Sequence, residues 1–406
     1  MIEREIEFYD YGYDGEGVGK AGGKIIFVPC TLRGEIADVE LTKKTSSFCK
    51  GRVVRLLRES PERQIPPCPY FGICGGCAFQ HTSYSNELEI KKQLLSKQLA
   101  KVGYNSEITV VQSPLEYGYR NKIKLFVGYG AVGLKEKSSD RVVDIDNCKI
   151  ASPMIDYAIK YIKNFIRGNN LYSKLSNVVL REENDFCTIE FVQRKKCEID
   201  YQGLRLVLGE KYGIFESFGN EIIRGMRTLC TEEMGLQCEF SPRSFRQVNS
   251  GVCKLLYDKT VKSVVGKNVV NCYSGAGVLS GVLEKAGFNV TGIELGQTEH
   301  NDAQRLKELN GLNRLHNICG DAAEMLPKVG EKIDTLIVDP PRRGMSKDVC
   351  ATIAKLNFKR MIYISCNSST LVRDIQRIGN VKVESATLFD MFARTGEYET
   401  LVTLKK

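Results

Sequence analysis

The chain has 406 residues, 42% of them hydrophobic, which is longer than one hydrophobic core usually supports, so we expect two or three domains. The N-terminus lacks a basic start followed by an apolar run, and no segment has roughly 18 uninterrupted apolar residues, so we expect a soluble, cytoplasmic protein with no membrane partner. We also expect it to be a monomer. A formal net charge of +9 permits a polyanionic partner without proving one.

The first 58 residues contain short alternating or apolar pieces separated by glycine-rich turns, as in 24–29 and 37–41. This spacing predicts a small antiparallel β-barrel over residues 1–58. Between residues 41 and 64 there are two acidic residues and seven basic ones: Lys43, Lys44, Lys50, Arg52, Arg55, Arg58 and Arg63. A charge run is usually a solvated face, so this surface fits plain solvation as well as contact with nucleic acid.

Three cysteines within ten residues mark the stretch Cys68-Pro-Tyr-Phe-Gly-Ile-Cys-Gly-Gly-Cys77. Thiolates this close repel one another and oxidise unless they are bound. A structural zinc typically uses two CxxC knuckles and only one is present, whereas an iron-sulfur cluster tolerates uneven spacing and a distant fourth cysteine, so we favour the cluster. The best fourth ligand is Cys148, in a polar turn after an apolar strand. Cys30 and Cys49 are nearer in sequence but are interpreted as residues buried in strands.

A central α+β domain is predicted over residues 59–235. A linker over 59–67 leads into the cysteine loop. Residues 86–102 carry apolar residues at helical spacing with lysines between them, which predicts an exposed amphipathic helix. Strand-like runs at 122–127 and 187–192 complete a mixed pattern.

The last region, 236–406, alternates apolar strands with helices, which predicts a parallel sheet with crossover helices. Its first strand and a glycine turn occupy 268–277. The next strand ends in Glu294, roughly 20 positions on, where a carboxylate can accept both ribose hydroxyls of a nucleoside cofactor. Together the turn and the carboxylate favour a nucleotide-like cofactor over a purely structural turn.

Two later strands add chemical groups to the same predicted edge of the sheet. One ends in Asp339-Pro-Pro, which is common in nucleic-acid methyltransferases; an aromatic residue usually follows when the target is an exocyclic amine, and here Arg342 follows. The other ends in Cys366. A cysteine at a strand end is usually a buried apolar residue, but its place beside Asp339, between Ser365 and Asn367, predicts a nucleophile.

In this order the motifs closely resemble those of the RNA 5-methyluridine methyltransferases, the uracil-C5 family that acts on ribosomal and transfer RNA. The resemblance covers nearly the whole chain: a barrel similar to the TRAM domain, a 4Fe-4S loop, a central RNA-binding domain and a Rossmann-like S-adenosylmethionine domain. Besides the cysteine loop, it is carried by Phe245-Arg-Gln-Val-Asn249, Asp339-Pro-Pro-Arg-Arg-Gly344, Ser365-Cys-Asn367 and Asp390-Met-Phe with Thr395 and Glu399.

Residue by residue, the resemblance implies specific roles. It implies that a 4Fe-4S cluster is ligated by Cys68, Cys74, Cys77 and Cys148. It implies that S-adenosylmethionine is bound by Gln247, Tyr273, Glu294, Asp321 and Asp339, with Glu294 on the ribose. Phe245 resembles the aromatic residue that stacks near the target base, Cys366 matches the nucleophile, and Glu399 matches the base.

The chemistry of uracil explains why these residue types are needed. C5 is too weak a nucleophile to take a methyl group from a sulfonium directly, but addition of a thiolate at C6 makes it an enolate carbon. A carboxylate such as Glu399 then removes the C5 proton so that the cysteine is eliminated. Asp339 can accept a hydrogen bond from uracil N3 or hold the cofactor. The target base must be unpaired or flipped out of its stack.

Several positions depart from the family pattern. Asn271 stands where Asp is common, and Ser274 where Cys is frequent. In the C-terminal motif Ala393, Arg394 and Glu397 stand where Pro, a polar residue and His are usual, and Ser368 replaces a proline. We interpret these as drift within an active enzyme, with weakened cofactor binding through Asn271 as the alternative.

The leading hypothesis is methylation of uridine C5 in 23S ribosomal RNA, because the barrel and the cluster occur together. The nearest alternative is the same reaction on transfer RNA. A different class of protein, a catalytically lapsed RNA-binding iron-sulfur protein, would bind RNA without forming an adduct at Cys366. An amino-methyltransferase is disfavoured by Arg342 and leaves Cys366 and Glu399 unexplained.

Overall fold

A computed structural model describes residues 2–330 and 332–406. Its N-terminal part is a six-stranded sheet in the order β1-β5-β6-β4-β3-β2. The strands are β1 (Ile2–Glu7), β2 (Asp10–Tyr11), β3 (Gly17–Ala21), β4 (Lys24–Val28), β5 (Ile36–Lys44) and β6 (Phe48–Arg58). Phe8, Ile26 and Val39 are fully buried in its core. The predicted all-β region is confirmed, but the sheet is not purely antiparallel, because β4 pairs with β6 in parallel.

The central region contains a seven-stranded sheet in the order β10-β9-β8-β11-β12-β13-β14. Its strands are β8 (Lys122–Val127), β9 (Val132–Lys135), β10 (Val142–Asp144), β11 (Leu175–Glu183), β12 (Phe186–Gln193), β13 (Tyr212–Phe218) and β14 (Glu221–Gly225). Two helices accompany it, α2 (Pro153–Gly168) and α3 (Gln202–Leu208). Ile155, Ile159, Ile162 and Ile166 recur at helical spacing on one buried face of α2, which explains why that helix covers the sheet.

The C-terminal sheet has eight strands in the order β19-β18-β17-β20-β21-β23-β22-β7. Before it lies a hairpin of β15 (Leu229–Glu233) and β16 (Leu236–Phe240). The strands are β7 (Ile108–Val111), β17 (Asn268–Cys272), β18 (Asn289–Glu294), β19 (Leu315–Cys319), β20 (Thr335–Val338), β21 (Arg360–Ser365), β22 (Lys382–Phe389) and β23 (Glu399–Lys405). The helices are α1 (Tyr84–Leu99), α4 (Ser250–Ser263), α5 (Val278–Lys285), α6 (Gln297–Leu309), α7 (Ala322–Met325), α8 (Lys347–Lys355) and α9 (Ser368–Ile378).

Five adjacent strands, β17 to β21, pair in parallel with one another, as predicted, and β23 is antiparallel to β21. All four residues of β20 are buried, as expected for a strand covered by helices on both faces. Among the described residues, no helix is long and apolar enough to cross a membrane.

Helix α1 is more deeply buried than the exposed helix that the sequence predicts for this segment. Six of its residues are buried, among them Ile90, Leu95 and Lys91. Its apolar face packs with β7 in the core of the C-terminal sheet, and β7 pairs in parallel with β22. Residues 95–111, which the sequence pattern grouped with the central domain, therefore pack in the C-terminal core, because β7 completes the edge of that sheet, whereas Ile90 and Leu94 pack with Phe79.

Candidate active site

The carboxyl ends of the parallel strands bring together most of the predicted site residues. Tyr273 follows β17, Glu294 ends β18, and Asp321 follows β19 by two positions. Asp339 and Cys366 come directly after β20 and β21. Because these strands are parallel and adjacent, their carboxyl ends form one edge, where open α/β sheets bind ligands.

Glu294 holds the glycine turn of this edge. Its two carboxylate oxygens accept hydrogen bonds from the backbone N–H groups of Gly275, at 2.9 Å, and Gly296, at 2.8 Å. Tyr273 begins the turn with a φ of +62°, a conformation that few residues other than glycine adopt. Asp321 accepts a hydrogen bond from the backbone N–H of Ala323 at 2.8 Å. The turn and the two acidic residues are thus ordered around the same edge.

Asn271, which departs from the family pattern, lies in β17 just before this turn. Its side-chain amide donates to Ser280 Oγ at 3.0 Å, while its Oδ1 has no hydrogen-bond partner among the described residues. Asn271 is buried, with 1% of its surface exposed. It therefore ties β17 to α5 rather than facing the edge of the sheet.

Strand register places Glu399 beside Cys366. In the antiparallel pair of β21 and β23, Ser365 is opposite Thr400. Cys366 follows Ser365 and Glu399 precedes Thr400, so the two chemical groups are neighbours at the end of this ladder. The side chain of Glu399 is buried, and its Oε1 has no hydrogen-bond partner among the described residues. An unpaired buried carboxylate oxygen is costly and marks a functional candidate.

Burial governs the ionisation of this group of side chains. Burial raises the pKa of Cys366 to about 12; Glu399 acts in the same direction, and the Arg342 guanidinium opposes it. Burial also raises the pKa of Asp339. Burial, followed by the neighbouring Asp339, holds the pKa of Glu399 well above its usual range. The site therefore favours a neutral thiol and at least one protonated carboxyl in the absence of RNA.

Arg342 and Asn367 frame the opening to Cys366. The Arg342 guanidinium forms an ion pair with Glu397, and both side chains are partly exposed. Asn367 Nδ2 donates to the backbone carbonyl of Arg342 at 3.3 Å. Asn367 Oδ1 caps α9 by accepting the backbone N–H groups of Ser369 and Thr370, at 3.0 and 3.3 Å. The loop after β20 and the loop after β21 are thereby tied together.

The four predicted cluster cysteines, Cys68, Cys74, Cys77 and Cys148, line one shared pocket. Cys148 comes from the loop after β10, and its backbone N–H donates to Asp156 Oδ1 at 2.6 Å. Within residues 2–330 and 332–406, no three His, Cys, Asp or Glu side chains are grouped closely enough to hold a single metal ion. Cys49 lies buried in β6, as expected, whereas Cys30 lies in a turn with a φ of +60°.

Arg394 joins the cysteine loop to the segment that carries Glu399. Its backbone carbonyl accepts hydrogen bonds from the N–H groups of Ala78 and Phe79, at 2.9 and 3.1 Å. Its buried guanidinium lies over the rings of Tyr84 and Tyr117, 5.3 and 5.1 Å from their centroids. The sequence showed Arg394 only as a departure from the family pattern, and this clamp was missed because its partners are distant in the chain.

A basic cleft of about 420 Å³ opens beside these loops. Its basic lining residues are Arg120, Lys124, Lys137 and Arg342, and its walls include the cysteine loop and the segment from Thr395 to Glu397. On the barrel, three of the seven basic residues of the 41–64 run are held in ion pairs, namely Arg52, Arg58 and Arg63. One of the four basic residues in the cleft, Arg342, is also the cation that acts on the Cys366 thiol.

Two predicted residues lie away from the strand ends, on the loop between β16 and α4. Phe245 is 65% exposed. Gln247 lines a groove of about 800 Å³, together with residues of the central sheet such as Glu182. The Gln247 backbone carbonyl accepts a hydrogen bond from Asn121 Nδ2 at 3.2 Å. This loop connects the central and C-terminal sheets.

Comparison with known proteins agrees with this geometry. The tRNA (Uracil-5-)-methyltransferase family matches residues 218–406, and the TRAM domain matches residues 3–54. An uncharacterized RNA methyltransferase of Caldanaerobacter subterraneus subsp. tengcongensis is 30% identical over 99% of this chain and 98% of its own. The 23S rRNA (uracil(1939)-C(5))-methyltransferase RlmD of Francisella tularensis subsp. novicida is 28% identical over 99% of this chain and 96% of its own.

A solved structure extends the match to three dimensions. The Pyrococcus abyssi tRNA (uracil-54, C5)-methyltransferase, in complex with S-adenosyl-L-homocysteine, superposes with a TM-score of 0.83 at 26% identity, over 99% of both chains. With Cys366, the carboxylates and the glycine turn at one sheet edge and these matches over the full length, the chain belongs to the family of RNA uracil-C5 methyltransferases.

Proposed function

We propose that this protein methylates C5 of uridine in ribosomal RNA, with S-adenosylmethionine as methyl donor, Cys366 as nucleophile and Glu399 as base. The observation that carries this proposal is the register of β21 and β23, which brings Cys366 beside Glu399, a buried residue whose Oε1 has no hydrogen-bond partner within the described part of the chain. A methyltransferase that acts on an exocyclic amine needs neither group.

The reaction follows from what these two side chains can do. The Cys366 thiolate adds to C6 of uracil, and the electron pair moves through C5 into the C4 carbonyl. S-adenosylmethionine supplies the electrophilic methyl group that C5 then takes. Glu399 removes the C5 proton, and the electrons of the C5–H bond expel the Cys366 thiolate from C6. Burial makes the ionised form of Glu399 a stronger base than an exposed carboxylate, which suits this task once the proton of Glu399 has left.

Asp339 and Arg342 are two other charged residues with a proposed role at the site. Arg342 is the cation that favours the Cys366 thiolate against burial. Asp339, buried beside Glu399, can accept a hydrogen bond from uracil N3 or bind the cofactor. Burial raises the pKa of both Asp339 and Glu399, and the neighbouring Asp339 adds to the rise at Glu399, so the site disfavours two charged carboxylates facing uncharged uracil.

The residues proposed to hold S-adenosylmethionine fit a nucleoside. Glu294 ends its strand with two oxygens that still have free lone pairs, which suits ribose hydroxyls. Tyr273, Asp321 and Asp339 follow neighbouring strands at the same edge. Gln247 is proposed to contact the cofactor from the loop that connects the two sheets.

The four cysteines fit a 4Fe-4S cluster better than a zinc ion. A structural zinc typically takes its cysteines from two CxxC knuckles, and this loop contains one, Cys74 to Cys77. A cluster binds each cysteine through a different iron, so its ligands lie farther apart around a shared pocket. Cys68, Cys74, Cys77 and Cys148 would hold it, and methyl transfer needs no electron from it.

Iron and sulfide analysis of anaerobically purified protein tests this assignment. We expect the wild type to contain about four irons and four sulfides, and Cys148→Ala to lose most of both. Cys49→Ala is the matched control, because Cys49 is buried in the barrel core and away from the shared pocket. Zinc in place of iron, or no metal in the wild type, would contradict the cluster.

Several observations support RNA and the choice of ribosomal RNA. The cleft that carries Arg120, Lys124, Lys137 and Arg342 lies beside the Thr395–Glu397 segment, where phosphates would be attracted. The TRAM domain covers most of the N-terminal sheet, and a full-length relative is named for 23S ribosomal RNA. The solved relative is named for transfer RNA, which makes that substrate the second candidate.

The choice is tested by giving the anaerobic enzyme S-adenosylmethionine and separate pools of unmodified ribosomal and transfer RNA. Mass spectrometry of the digested RNA then measures 5-methyluridine, with Cys366→Ala as the inactive control. We expect product in ribosomal RNA. Product only in transfer RNA would identify transfer RNA as the substrate. RNA binding without product in either pool would identify a catalytically lapsed RNA-binding protein.

A further inference from the structure

A loop of the N-terminal barrel reaches the proposed nucleophile. This loop, residues 12–16, joins β2 to β3, and is closed by hydrogen bonds from the N–H of Gly12 to the carbonyl of Glu16, at 2.7 Å, and from Gly15 to Gly12, at 3.0 Å. Its backbone lies so close to the catalytic segment that a Cβ on Gly396 would be 2.7 Å from the carbonyl oxygen of Asp14. The loop is therefore packed directly against the segment leading to Glu399.

On its other side, the loop is held by the cysteine-loop region. A Cβ on Gly15 would be 2.4 Å from the ring of Phe79, and Gly15 has a φ of +77°. Phe79 is itself fully buried and hydrogen-bonded to Arg394. The close contacts at Asp14 and Gly15, together with the hydrogen bonds of Gly12, fix the position of Tyr13, which follows Gly12 in the loop.

Tyr13 bonds to the residue next to the nucleophile. Its hydroxyl donates to Asn367 Oδ1 at 3.0 Å. The same oxygen caps α9, and the Asn367 amide nitrogen holds the carbonyl of Arg342, so Asn367 connects the barrel with both loops that frame Cys366. Burial raises the pKa of Tyr13 to about 12, so its hydroxyl keeps the proton that it donates throughout the neutral range.

We infer that Tyr13 is a positioning residue for methyl transfer, which orients the Cys366 loop through its hydrogen bond to Asn367. The inference rests on the proposed role of Cys366 and goes beyond it, because it makes the barrel part of the catalytic centre. The barrel is then required for the rate of adduct formation as well as for binding RNA.

The test compares Tyr13→Phe and Tyr13→Ala with the control Tyr9→Phe. Tyr13 and Tyr9 are 38% and 45% exposed, so none of these changes opens a cavity in the core. Thermal melting verifies folding. The measurements are the RNA dissociation constant, the single-turnover methylation rate at saturating enzyme, and the rate of covalent adduct formation on RNA containing 5-fluorouridine. The RNA is a 23S transcript, or a transfer RNA transcript if that is what the wild type methylates.

We expect Tyr13→Phe to lower both rates roughly 2- to 10-fold, the effect of one hydrogen bond, with RNA affinity changed less than 2-fold. Tyr13→Ala should lower the rates further, and Tyr9→Phe should match the wild type. A role confined to holding the barrel would change melting or RNA affinity and leave the saturated rates intact. Wild-type rates in both Tyr13 variants, or losses explained wholly by weaker RNA binding, would overturn the inference. A wild type that forms neither adduct nor product would overturn the proposed function instead.

Discussion

Replacement of Lys91 by methionine should destabilise the protein strongly. The Lys91 ammonium is fully buried and lies 2.6 Å from a carboxylate oxygen of both Glu87 and Asp390. It also donates to the carbonyl of Phe392 at 3.3 Å. Methionine fills much of the same volume but leaves the buried Asp390 carboxylate without its cation, and leaves Glu87 with only the Arg394 guanidinium, 3.5 Å away. Removal of one partner from a buried ion pair costs about 3–5 kcal/mol. The folding equilibrium should therefore shift by roughly two to three and a half orders of magnitude.

Lys97→Met is the matched control on the same helix. Lys97 pairs with Asp10, but the two side chains are 50% and 42% exposed, and exposed pairs contribute about 1 kcal/mol or less. Urea denaturation of the anaerobic protein, followed by tyrosine fluorescence, compares the two variants, since the chain has 18 tyrosines and no tryptophan. A loss in Lys91→Met no larger than that in Lys97→Met would refute the reasoning, because the buried carboxylates would then not depend on Lys91.

Three further predictions concern the site. Because the pKa of Cys366 is about 12, the thiolate fraction, and with it the rate of alkylation by iodoacetamide, should rise roughly tenfold per pH unit between about pH 7 and 9. Peptide mass spectrometry measures the rate, and a flat profile would contradict a protonated thiol. Glu399→Gln removes the proposed base, so it should slow methylation; at a pH where Glu399 is ionised it should also speed alkylation, because a negative charge that raises the thiol pKa is gone. Unchanged kinetics of both reactions would exclude Glu399 as neighbour and base. Arg342→Gln should slow alkylation of Cys366, because the thiolate loses the cation that favours it; faster alkylation would contradict this role of Arg342.

The group of residues at the edge of the C-terminal sheet could be predicted from sequence, because adjacent parallel strands end at the same edge. Once β17, β18, β20 and β21 are identified as adjacent parallel strands, the residues that follow them must meet, whatever the side chains. Glu399 belongs to an antiparallel strand instead. Its place beside Cys366 depends on the order of β21, β23 and β22, which local pattern does not contain.

Helix α1 shows what local pattern misses. Lysines between apolar residues at helical spacing indicate a solvated face, yet Lys91 is buried because carboxylates four residues and 299 residues away surround it. The strand that α1 precedes, β7, is short and joins the sheet through β22 at the far end of the chain. Such long-range pairing also explains why the sequence suggested no role for Tyr13 or for the Arg394 clamp.

The most direct test of the central claim is the site of covalent attachment. The anaerobic enzyme is incubated with S-adenosylmethionine and RNA containing 5-fluorouridine, in which fluorine replaces the C5 proton that Glu399 would remove, and the cross-linked peptide is identified by mass spectrometry. We predict that the cross-linked peptide carries a methylated 5-fluorouridine on Cys366, and that Cys366→Ala yields no cross-link. Attachment at another cysteine, or 5-methyluridine formation by Cys366→Ala on ordinary RNA, would contradict this mechanism.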